Sequence, residues 1–420
     1  MATAAPTAPP LPSAPPSGPT LRAKLLWVAA LYFAQGLPFG VVNNLFPVYF
    51  RFAGMGPADI TNLIGTAGYA WALKVLWAPL VDAVGGRKGW ILAMQVLLGI
   101  AFAAVAIPSG AALGPALWTI VVVIAVLSAT QDIAIDAYSI EALERREYGA
   151  ANGMRVGAYR AAMIVGGGLL VALAGSLGWP PVLVAAGGAM LLAAGVTALL
   201  PSVRHPRPAG GVAAALRRSV VEPLRSFAAL PGFVPMLLFV LFFKLGDLAL
   251  VPAAPIFWVD RGFGTEQIGA AVGTVGMIAT IVGAIVGGAL TTRWGTFRAL
   301  WVLGLVQAAS NLAYWAAAGM EPSLPVLYGT VTIEQFTSGL GTAAFLAFMM
   351  TMCERRLAAT QYALLSALFR VSGQTATKYS GALIESMGYG DYFLLTFALA
   401  FPAFLLLPLV RKAMAARESA

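Results

Sequence analysis

Residues 82–108 decide the fold class of this chain and read DAVGGRKGWILAMQVLLGIAFAAVAIP. A short loop with one acidic and two basic residues is followed by a run from Trp90 to Pro108 that is apolar apart from Gln95. A helix of that length, at about 1.5 Å per residue, matches the hydrocarbon core of a bilayer, which is about 30 Å thick. The stretch therefore predicts a membrane-spanning helix with a charged loop at its start.

Similar runs recur along the 420 residues, of which 60% are hydrophobic and 10% charged, with a mean hydropathy of +0.83. Soluble domains carry about 25% charged residues, so composition excludes an ordinary soluble fold. We predict an all-α polytopic membrane protein with about twelve transmembrane helices in two six-helix bundles. The predicted spans are 24–50, 57–81, 90–108, 115–141, 149–174, 180–200, 233–258, 265–291, 299–318, 324–353, 359–384 and 389–410.

The polar segments divide the chain into five predicted parts. Residues 1–21 form a proline-rich tail expected to be disordered, and 22–200 form the first bundle. An arginine-rich linker at 201–232 separates it from the second bundle at 233–410, and 411–420 form a short tail.

Basic residues predict the orientation, because loops rich in Lys and Arg stay in the cytoplasm. With the N-terminus inside, only Arg51 and Arg261 of the 26 basic residues fall in loops on the outer side. We therefore predict a multi-pass protein in the lipid bilayer with both termini in the cytoplasm. Apart from Lys24 at the cytoplasmic end of the first span, six basic residues fall inside the predicted spans, namely Lys74, Arg155, Arg160, Lys244, Arg370 and Lys378.

The two bundles repeat each other in the same sense. Glu144-Arg145-Arg146 and Arg160 recur 210 residues later as Glu354-Arg355-Arg356 and Arg370. Parallel six-helix repeats resemble the plan of the major facilitator fold, which implies a substrate site near the midplane, with spans one, four, seven and ten lining the cavity.

Carboxylates inside the spans are candidates for proton coupling, because charge in a bilayer is costly and is kept where it functions. Asp132 and Asp136 stand at i, i+4 and share one face of the fourth span. Asp247 in the seventh span and Glu334 in the tenth are the other candidates. Burial favours the protonated carboxyl group and an approaching cation favours the ionised one, so a carboxylate in an alternating cavity can carry a proton.

A structural interpretation of the same charges stays open. Lys244 stands at i, i+3 from Asp247 and can neutralise it, while Lys74 can pair with Asp132 or Asp136 across neighbouring helices. The basic and amide side chains are also suited to bind substrate carboxylates. The candidate substrate-binding residues from this reasoning are Gln35, Lys74, Gln131, Arg160, Lys244 and Arg370.

The loop after the second span holds Asp82, Arg87 and Lys88, and it looks like the facilitator gating-loop motif. In that motif an acidic residue and the following basic residues form a contact between the halves that breaks and re-forms. The same residues also fit a positive-inside topology anchor, and we expect both roles.

The chain lacks the side chains that an enzyme active site, a metal site or a nucleic-acid-binding surface requires. One histidine, His205, and one cysteine, Cys353, provide neither a nucleophile with its base nor a metal-ligand cluster, and no Walker-type glycine loop is present. The basic residues lie at the ends of spans rather than in a stripe that could follow a phosphate backbone. We therefore predict no enzyme activity, no cofactor, no metal and no nucleic-acid partner.

Several long stretches resemble the AmpG-type muropeptide permeases, relatives of the acetyl-CoA transporters. They are Gly36-Leu-Pro38, Lys74-Val-Leu-Trp-Ala-Pro-Leu-Val-Asp82, Ser128-Ala-Thr-Gln-Asp-Ile-Ala-Ile-Asp-Ala137, Lys244-Leu-Gly-Asp247 and the spaced set Gln307, Ser310, Asn311, Tyr314 and Trp315. The resemblance implies proton-driven import of anhydromuropeptides, small sugar-peptides from cell-wall turnover, across a bacterial inner membrane. It adds Asn311 and Tyr314 to the candidate substrate-binding residues, and we expect a monomer.

Two alternatives remain at this stage. The first is a facilitator for another anionic metabolite, such as an acyl-CoA or a siderophore-like solute. The second is a membrane sensor that binds its ligand without moving it. Uptake competition separates the first from muropeptide import, and binding without flux identifies the second.

Overall fold

A computed structural model of the chain describes residues 19–84, 86–106, 114–144, 147–203, 232–353 and 358–418. Residues 1–18 of the predicted tail 1–21 and residues 204–231 of the predicted linker 201–232 lie outside the described residues. Every regular element within the described ranges is a helix.

The first half of the molecule comprises helices α1 to α6. Their bounds are Leu21–Phe52 (α1), 57–83 (α2), Arg87–Val105 (α3), Pro115–Ala142 (α4), Tyr148–Leu177 (α5) and Trp179–Leu199 (α6). The second half comprises Phe233–Asp260 (α7), Thr265–Trp294 (α8), Thr296–Gly319 (α9), Leu324–Thr351 (α10), 358–387 (α11) and 389–418 (α12). Gly388, with φ 82°, separates α11 from α12.

Eight helical stretches of the described residues are long and apolar enough to cross a membrane, and one of them, Gln361–Arg411, takes in most of α11 and α12. The prediction of an all-α polytopic membrane protein is confirmed. Several helix ends differ from the predicted spans, for example those of α3 and α12. α3 begins at Arg87 rather than residue 90, and α12 continues to Glu418 into the predicted tail. A helix that leaves the bilayer can keep its backbone hydrogen bonds among solvated charged residues, so the end of an apolar run does not mark the end of a helix.

We call the end of the molecule at which α1, α3 and α5 begin the basic face, because it carries Lys24, Arg87, Lys88, Arg293 and Arg298. The end at which α1 turns into α2 is the opposite face. The buried apolar core is arranged differently at the two faces. Toward the opposite face one cluster joins both halves, with Phe50 and Ile60 of the first and Phe257 and Phe393 of the second. Toward the basic face each half has its own cluster, so the halves separate there.

Glycines bring the two halves into backbone contact toward the opposite face. A Cβ on Gly65 of α2 would stand 2.6 Å from the backbone nitrogen of Lys378 on α11. A Cβ on Gly273 of α8 would collide with the backbone at Gly167 of α5. Small residues permit such close helix packing in a membrane. Helices α1, α5 and α8 widen to π-helical geometry at this depth, over Val41–Leu45, Val165–Leu169 and Gly269–Val275.

Polar contacts complete this junction, which we call the interdomain seal. Arg51 at the end of α1 forms an ion pair with Asp260 at the end of α7, and Tyr389 Oη donates to the other Asp260 oxygen at 2.6 Å. Glu385 Oε1 of α11 accepts a hydrogen bond of 2.9 Å from the backbone N–H of Ala58, in the first turn of α2. An anion at a helix N-terminus is stabilised by the free N–H groups and the helix dipole.

Toward the basic face α5 lacks such packing. Residues 152–157 are exposed, and a Cβ on Gly149, Gly153 or Gly157 would meet nothing within 4 Å. The same helix is therefore tightly packed against the second half at one end and exposes residues 152–157 at the other, so the space between the halves opens toward the basic face.

Candidate functional site: a charged cavity between the halves

A cavity of about 400 Å³ lies between the halves above the interdomain seal. Helices α1, α2, α4 and α5 of the first half form most of its wall, and Arg370 of α11 reaches it from the second half. The lining residues are Tyr32, Gln35, Phe39, Trp71, Lys74, Asp132, Asp136, Arg155, Val156, Tyr159, Arg160, Met163 and Arg370.

Lys74 enters the cavity from a break in α2. The helix changes to a 3-10 turn at Lys74–Leu76, five residues before Pro79. Pro79 has no N–H to donate and its ring clashes with the carbonyl four residues earlier, so a regular helix cannot run through this segment. The break thus places a basic side chain at the cavity wall.

Asp132 and Asp136 both face Lys74, as their i, i+4 spacing requires. Lys74 Nζ lies 3.3 Å from Asp132 Oδ2 and 3.9 Å from Asp136 Oδ2. Asp136 Oδ1 also accepts a hydrogen bond of 2.7 Å from Tyr32 Oη and lies 3.1 Å from Arg155 Nη2. Each of the two carboxylates therefore has a cation beside it.

Two further cations have no such partner. Within the described part of the chain Arg160 makes a contact of 3.2 Å with Met277 Sδ, and Arg370 forms no ion pair. The cavity therefore holds the cations Lys74, Arg155, Arg160 and Arg370 against the carboxylates Asp132 and Asp136. This surplus of positive charge is suited to an anionic ligand, and arginine binds carboxylates through paired hydrogen bonds.

Aromatic and amide groups supply the remaining wall. Phe39 packs edge-on to Trp71, with ring centroids 5.3 Å apart, and lies 6.2 Å from the ring of Tyr159. Trp71 Nε1 and Gln35 Oε1 are buried without a hydrogen-bond partner in the described residues. A donor, an acceptor and aromatic faces together fit a ligand with sugar or peptide groups.

A smaller pocket of about 250 Å³ adjoins the cavity toward the basic face. It shares Tyr32 and Arg155 with the cavity, and the guanidinium of Arg155 lies 4.7 Å from the centre of the Tyr32 ring. This stacked pair separates the two spaces.

Most candidate residues of the first half meet in the cavity. Gln35, Lys74, Asp132, Asp136 and Arg160 line it. Gln131 does not, because it stands one residue from Asp132 and so points about 100° around the helix, where it is buried with both amide atoms unpartnered in the described residues.

The candidate residues of α7, α9 and α10 form a separate buried cluster in the second half. Lys244 Nζ lies 2.7 Å from Asp247 Oδ2, which also accepts a hydrogen bond of 3.0 Å from Ser338 Oγ. Glu334 on α10 is fully buried, and Asn311 and Tyr314 on α9 are 1% exposed. Tyr314 packs among Phe257, Trp258 and Phe393. These groups do not line the cavity described above.

The gating-loop residues contact the first half. Arg87 donates to Glu141 Oε1 of α4 at 3.4 Å and to the carbonyl of Val81 at 3.2 Å. Lys88 donates to the carbonyls of Ala198 and Leu200 at the end of α6. Both residues lie in the first turn of α3 rather than in the loop, and the side chain of Asp82 lies outside the described part of the structure.

Sequence reasoning did not select Arg155, Tyr32 and Tyr159. Arg155 carried the same signal as its neighbours, a basic residue inside a span, and that signal alone could have identified it. The two tyrosines had no signal, because aromatic residues are common throughout the spans. Within the described ranges no three His, Cys, Asp or Glu side chains are grouped closely enough to hold a metal ion.

Two packed helical bundles that cross a membrane and enclose a charged cavity closed toward one face define a membrane transporter. A family model described as Major Facilitator Superfamily matches residues 28–377, and the chain belongs to this superfamily. Its fold is similar to that of a solved bacterial homolog of the human lysosomal transporter Spinster in an inward-facing, unoccupied conformation. The TM-score is 0.74 with 16% identity, over 96% of this chain and 99% of the other.

Relatives with closer sequences are permeases and transporters, not enzymes. The chain is 34% identical over 391 residues to the Anhydromuropeptide permease of Escherichia coli strain K12, covering 91% of this chain and 79% of that protein. It is 28% identical over 396 residues to Putative transporter AmpG 4 of Rickettsia conorii, covering 91% and 95%. The predicted resemblance to this group is confirmed.

Proposed function

We propose that the chain imports anhydromuropeptides or closely related cell-wall fragments across a bacterial inner membrane, coupled to protons. The observation that carries the proposal is the pair of cavity arginines, Arg160 and Arg370, that have no carboxylate partner in the described structure. A peptide stem brings carboxylates that pair with arginine, and a sugar brings rings and hydroxyl groups for Trp71, Phe39 and Gln35. The name of the E. coli relative supports this substrate class.

Transport proceeds by alternating access in this proposal. The cavity opens toward the basic face, which we assign to the cytoplasm because basic residues concentrate on that side. The interdomain seal then closes the periplasmic side. Substrate enters from the periplasm when the seal opens and α5 and α8 close toward the basic face. The two halves rock about the substrate site, as in other facilitators built from two repeats.

Arg370 gives the substrate a contact with both halves. It is the residue of the second half that lines the cavity, and the other lining residues belong to α1, α2, α4 and α5. A ligand shifts a conformational equilibrium only through its different affinity for the two states. An anion that binds Arg160 on α5 and Arg370 on α11 draws the halves together and favours the occluded state.

Proton coupling is part of the proposal because buried carboxylates occur in both halves. Asp132, Asp136, Asp247 and Glu334 are the groups that can take up and release a proton during the cycle. The protein acts as a monomer, since each chain contains both halves and a complete cavity between them.

Uptake into proteoliposomes tests the proposed function. The purified full chain is reconstituted, a labelled anhydromuropeptide is supplied outside, and accumulation is followed with and without an inward proton gradient. Lipid-only vesicles correct for leakage. Gradient-dependent accumulation supports the proposal. Absence of uptake by folded protein, with uptake of an acyl-CoA or a siderophore in its place, would reassign the substrate. Binding without flux would indicate a sensor.

A further inference from the structure

The buried cluster of the second half contains one carboxylate too many. Lys244 is 2% exposed and already lies 2.7 Å from Asp247. Glu334 is fully buried, and neither of its oxygens has a hydrogen-bond partner in the described residues. An ionised carboxylate buried without a partner is so costly that such groups pair or become neutral. The cluster therefore needs one more positive charge than its side chains supply.

The cluster also has more unpartnered acceptors than donors. Its unpartnered buried oxygens within the described residues are Oε1 and Oε2 of Glu334, Oδ1 of Asp247, Oδ1 of Asn311 and Oε1 of Gln307, whereas the unpartnered buried donor is Nε1 of Trp258, beside Tyr314. Asn311 lies beside the Lys244–Asp247 segment, because a Cβ on Gly246 would stand 3.4 Å from Asn311 Nδ2. An ionised carboxylate accepts hydrogen bonds only, whereas a protonated one donates a hydrogen bond through its O–H group. A proton therefore supplies both the missing charge and a missing donor.

Few other groups act on Glu334. Lys244 and Asp247 of α7, Tyr314 of α9 and the amide group of Gln335 on its own helix interact with it electrostatically. Gln335 also contacts α8, where it accepts a hydrogen bond of 2.7 Å from Thr280. Lys244 is thus the cation that can compensate Glu334 after a proton leaves.

The carboxylates of the cavity differ from Glu334 because each of them has its own cation nearby. Asp132 has Lys74 at 3.3 Å, and Asp136 has Arg155 at 3.1 Å with Tyr32 as an additional donor. Their negative charge is already balanced, and the cavity has cations to spare. These two carboxylates hold the cavity cations in place.

We infer that Glu334, with Lys244 and Asp247, is the proton-coupling site and that it is separate from the substrate cavity. The inference rests on the proposed proton-coupled transport. A proton from periplasmic water forms the O–H bond of Glu334 when the transporter opens outward. The bond breaks toward cytoplasmic water when it opens inward, and Lys244 then compensates both carboxylates. Substrate and proton sites lie in different halves, so the motion of the halves couples them.

The test measures the exchange of substrate across the membrane separately from its accumulation against a gradient. Wild type, Glu334→Gln, the conservative Glu334→Asp and Asp391→Asn, an exposed carboxylate at the start of α12, are reconstituted as full chains. Labelled anhydromuropeptide is followed in two assays, counterflow without a gradient and accumulation driven by an inward proton gradient. A gradient of about one pH unit supports about tenfold accumulation per coupled proton.

We expect Glu334→Gln to keep counterflow and to lose the gradient-driven accumulation, and Glu334→Asp to regain part of it. Asp391→Asn should behave as wild type. Full gradient-driven accumulation by Glu334→Gln would overturn the inference, and so would accumulation driven by a sodium gradient at equal pH. Absence of both activities in wild type would instead refute the proposed function.

Infrared spectroscopy provides a readout without substrate. Wild-type protein in lipid should show the carbonyl band of a protonated, buried carboxylic acid, and Glu334→Gln should lack it. Absence of such a band in the wild type would overturn the inference, even if the glutamine variant failed to fold. A band unchanged in Glu334→Gln would place the proton on another carboxyl group and would equally overturn it.

Discussion

The charged cavity of the first half and the buried cluster of the second contain the same residue types in different surroundings. In the cavity the side chains of Lys74 and Asp136 are 30% and 31% exposed, so water reaches them. In the cluster the side chains of Lys244 and Asp247 are 2% and 5% exposed. Exposed charges can exchange partners with a ligand at little cost, whereas buried charges are costly to separate. The exposed charges of the cavity are therefore suited to ligand binding. The buried charges of the cluster are suited to staying paired with one another.

The largest effect is expected from breaking the buried pair. In a Glu334→Gln background, which removes the other carboxylate that Lys244 can compensate, Asp247→Asn leaves the Lys244 ammonium buried without a counter-ion and should destabilise the protein by about 3 to 5 kcal/mol. The measurement is thermal unfolding of purified protein in detergent. The matched variant in the cavity is Asp136→Asn, whose side chain is 31% exposed, and it should cost about 1 kcal/mol or less because the freed Lys74 and Arg155 can turn toward water.

In the same Glu334→Gln background, the double variant Lys244→Met/Asp247→Leu checks the physical reason for that difference. Removal of both charges should restore most of the lost thermal stability. Equal destabilisation by Asp247→Asn and Asp136→Asn would show that the two regions do not differ in the cost of an unpaired charge.

A smaller effect is expected from removing the cation that the second half contributes to the cavity. Arg370→Gln should weaken binding of an anhydromuropeptide by about 1.5 to 3 kcal/mol, roughly tenfold to a hundredfold in Kd. Calorimetric titration of purified protein measures it. Lys378→Gln, on the same helix but outside the cavity, is the control. Unchanged affinity in Arg370→Gln would remove this residue from the substrate site.

The smallest effect is expected at the interdomain seal. Glu385→Gln weakens the contact with the first turn of α2, and we expect a loss of about 0.5 to 1 kcal/mol from the inward-open state. Faster labelling of a cysteine placed at Gln35 by an impermeant reagent added outside, in a Cys353→Ala background, would report the shift. Slower labelling than in the parent would contradict the role of Glu385 in closing the periplasmic side.

Sequence reasoning located the charged positions better than their surroundings. The spacing of Asp132 and Asp136 predicted their shared face, and Lys74 lies beside them as the structural interpretation expected. The burial of Glu334 could not be read from the sequence, since a single polar residue in an apolar span does not reveal which way its helix is turned. The roles of these residues in proton coupling and binding stay predictions.

The contacts between the halves could not be predicted from the sequence for a different reason. Gly65, Gly167 and Gly273 look like many of the 46 glycines, and their importance depends on which helix lies opposite. Three-dimensional pairing of α2 with α11 and of α5 with α8 is not encoded in any local pattern. It follows from the packing of the two halves, which the hydrophobic periodicity of single helices does not predict.

The glycine contacts have a consequence for how this transporter can evolve. At Gly65 and Gly273 any side chain meets backbone, so drift at these positions is confined to glycine unless the opposing helix shifts as well. The cavity has no such restriction, because its residues border open space. New substrate preferences can therefore arise through single substitutions of cavity side chains. The glycine contacts between the halves, on which alternating access depends, stay unchanged meanwhile.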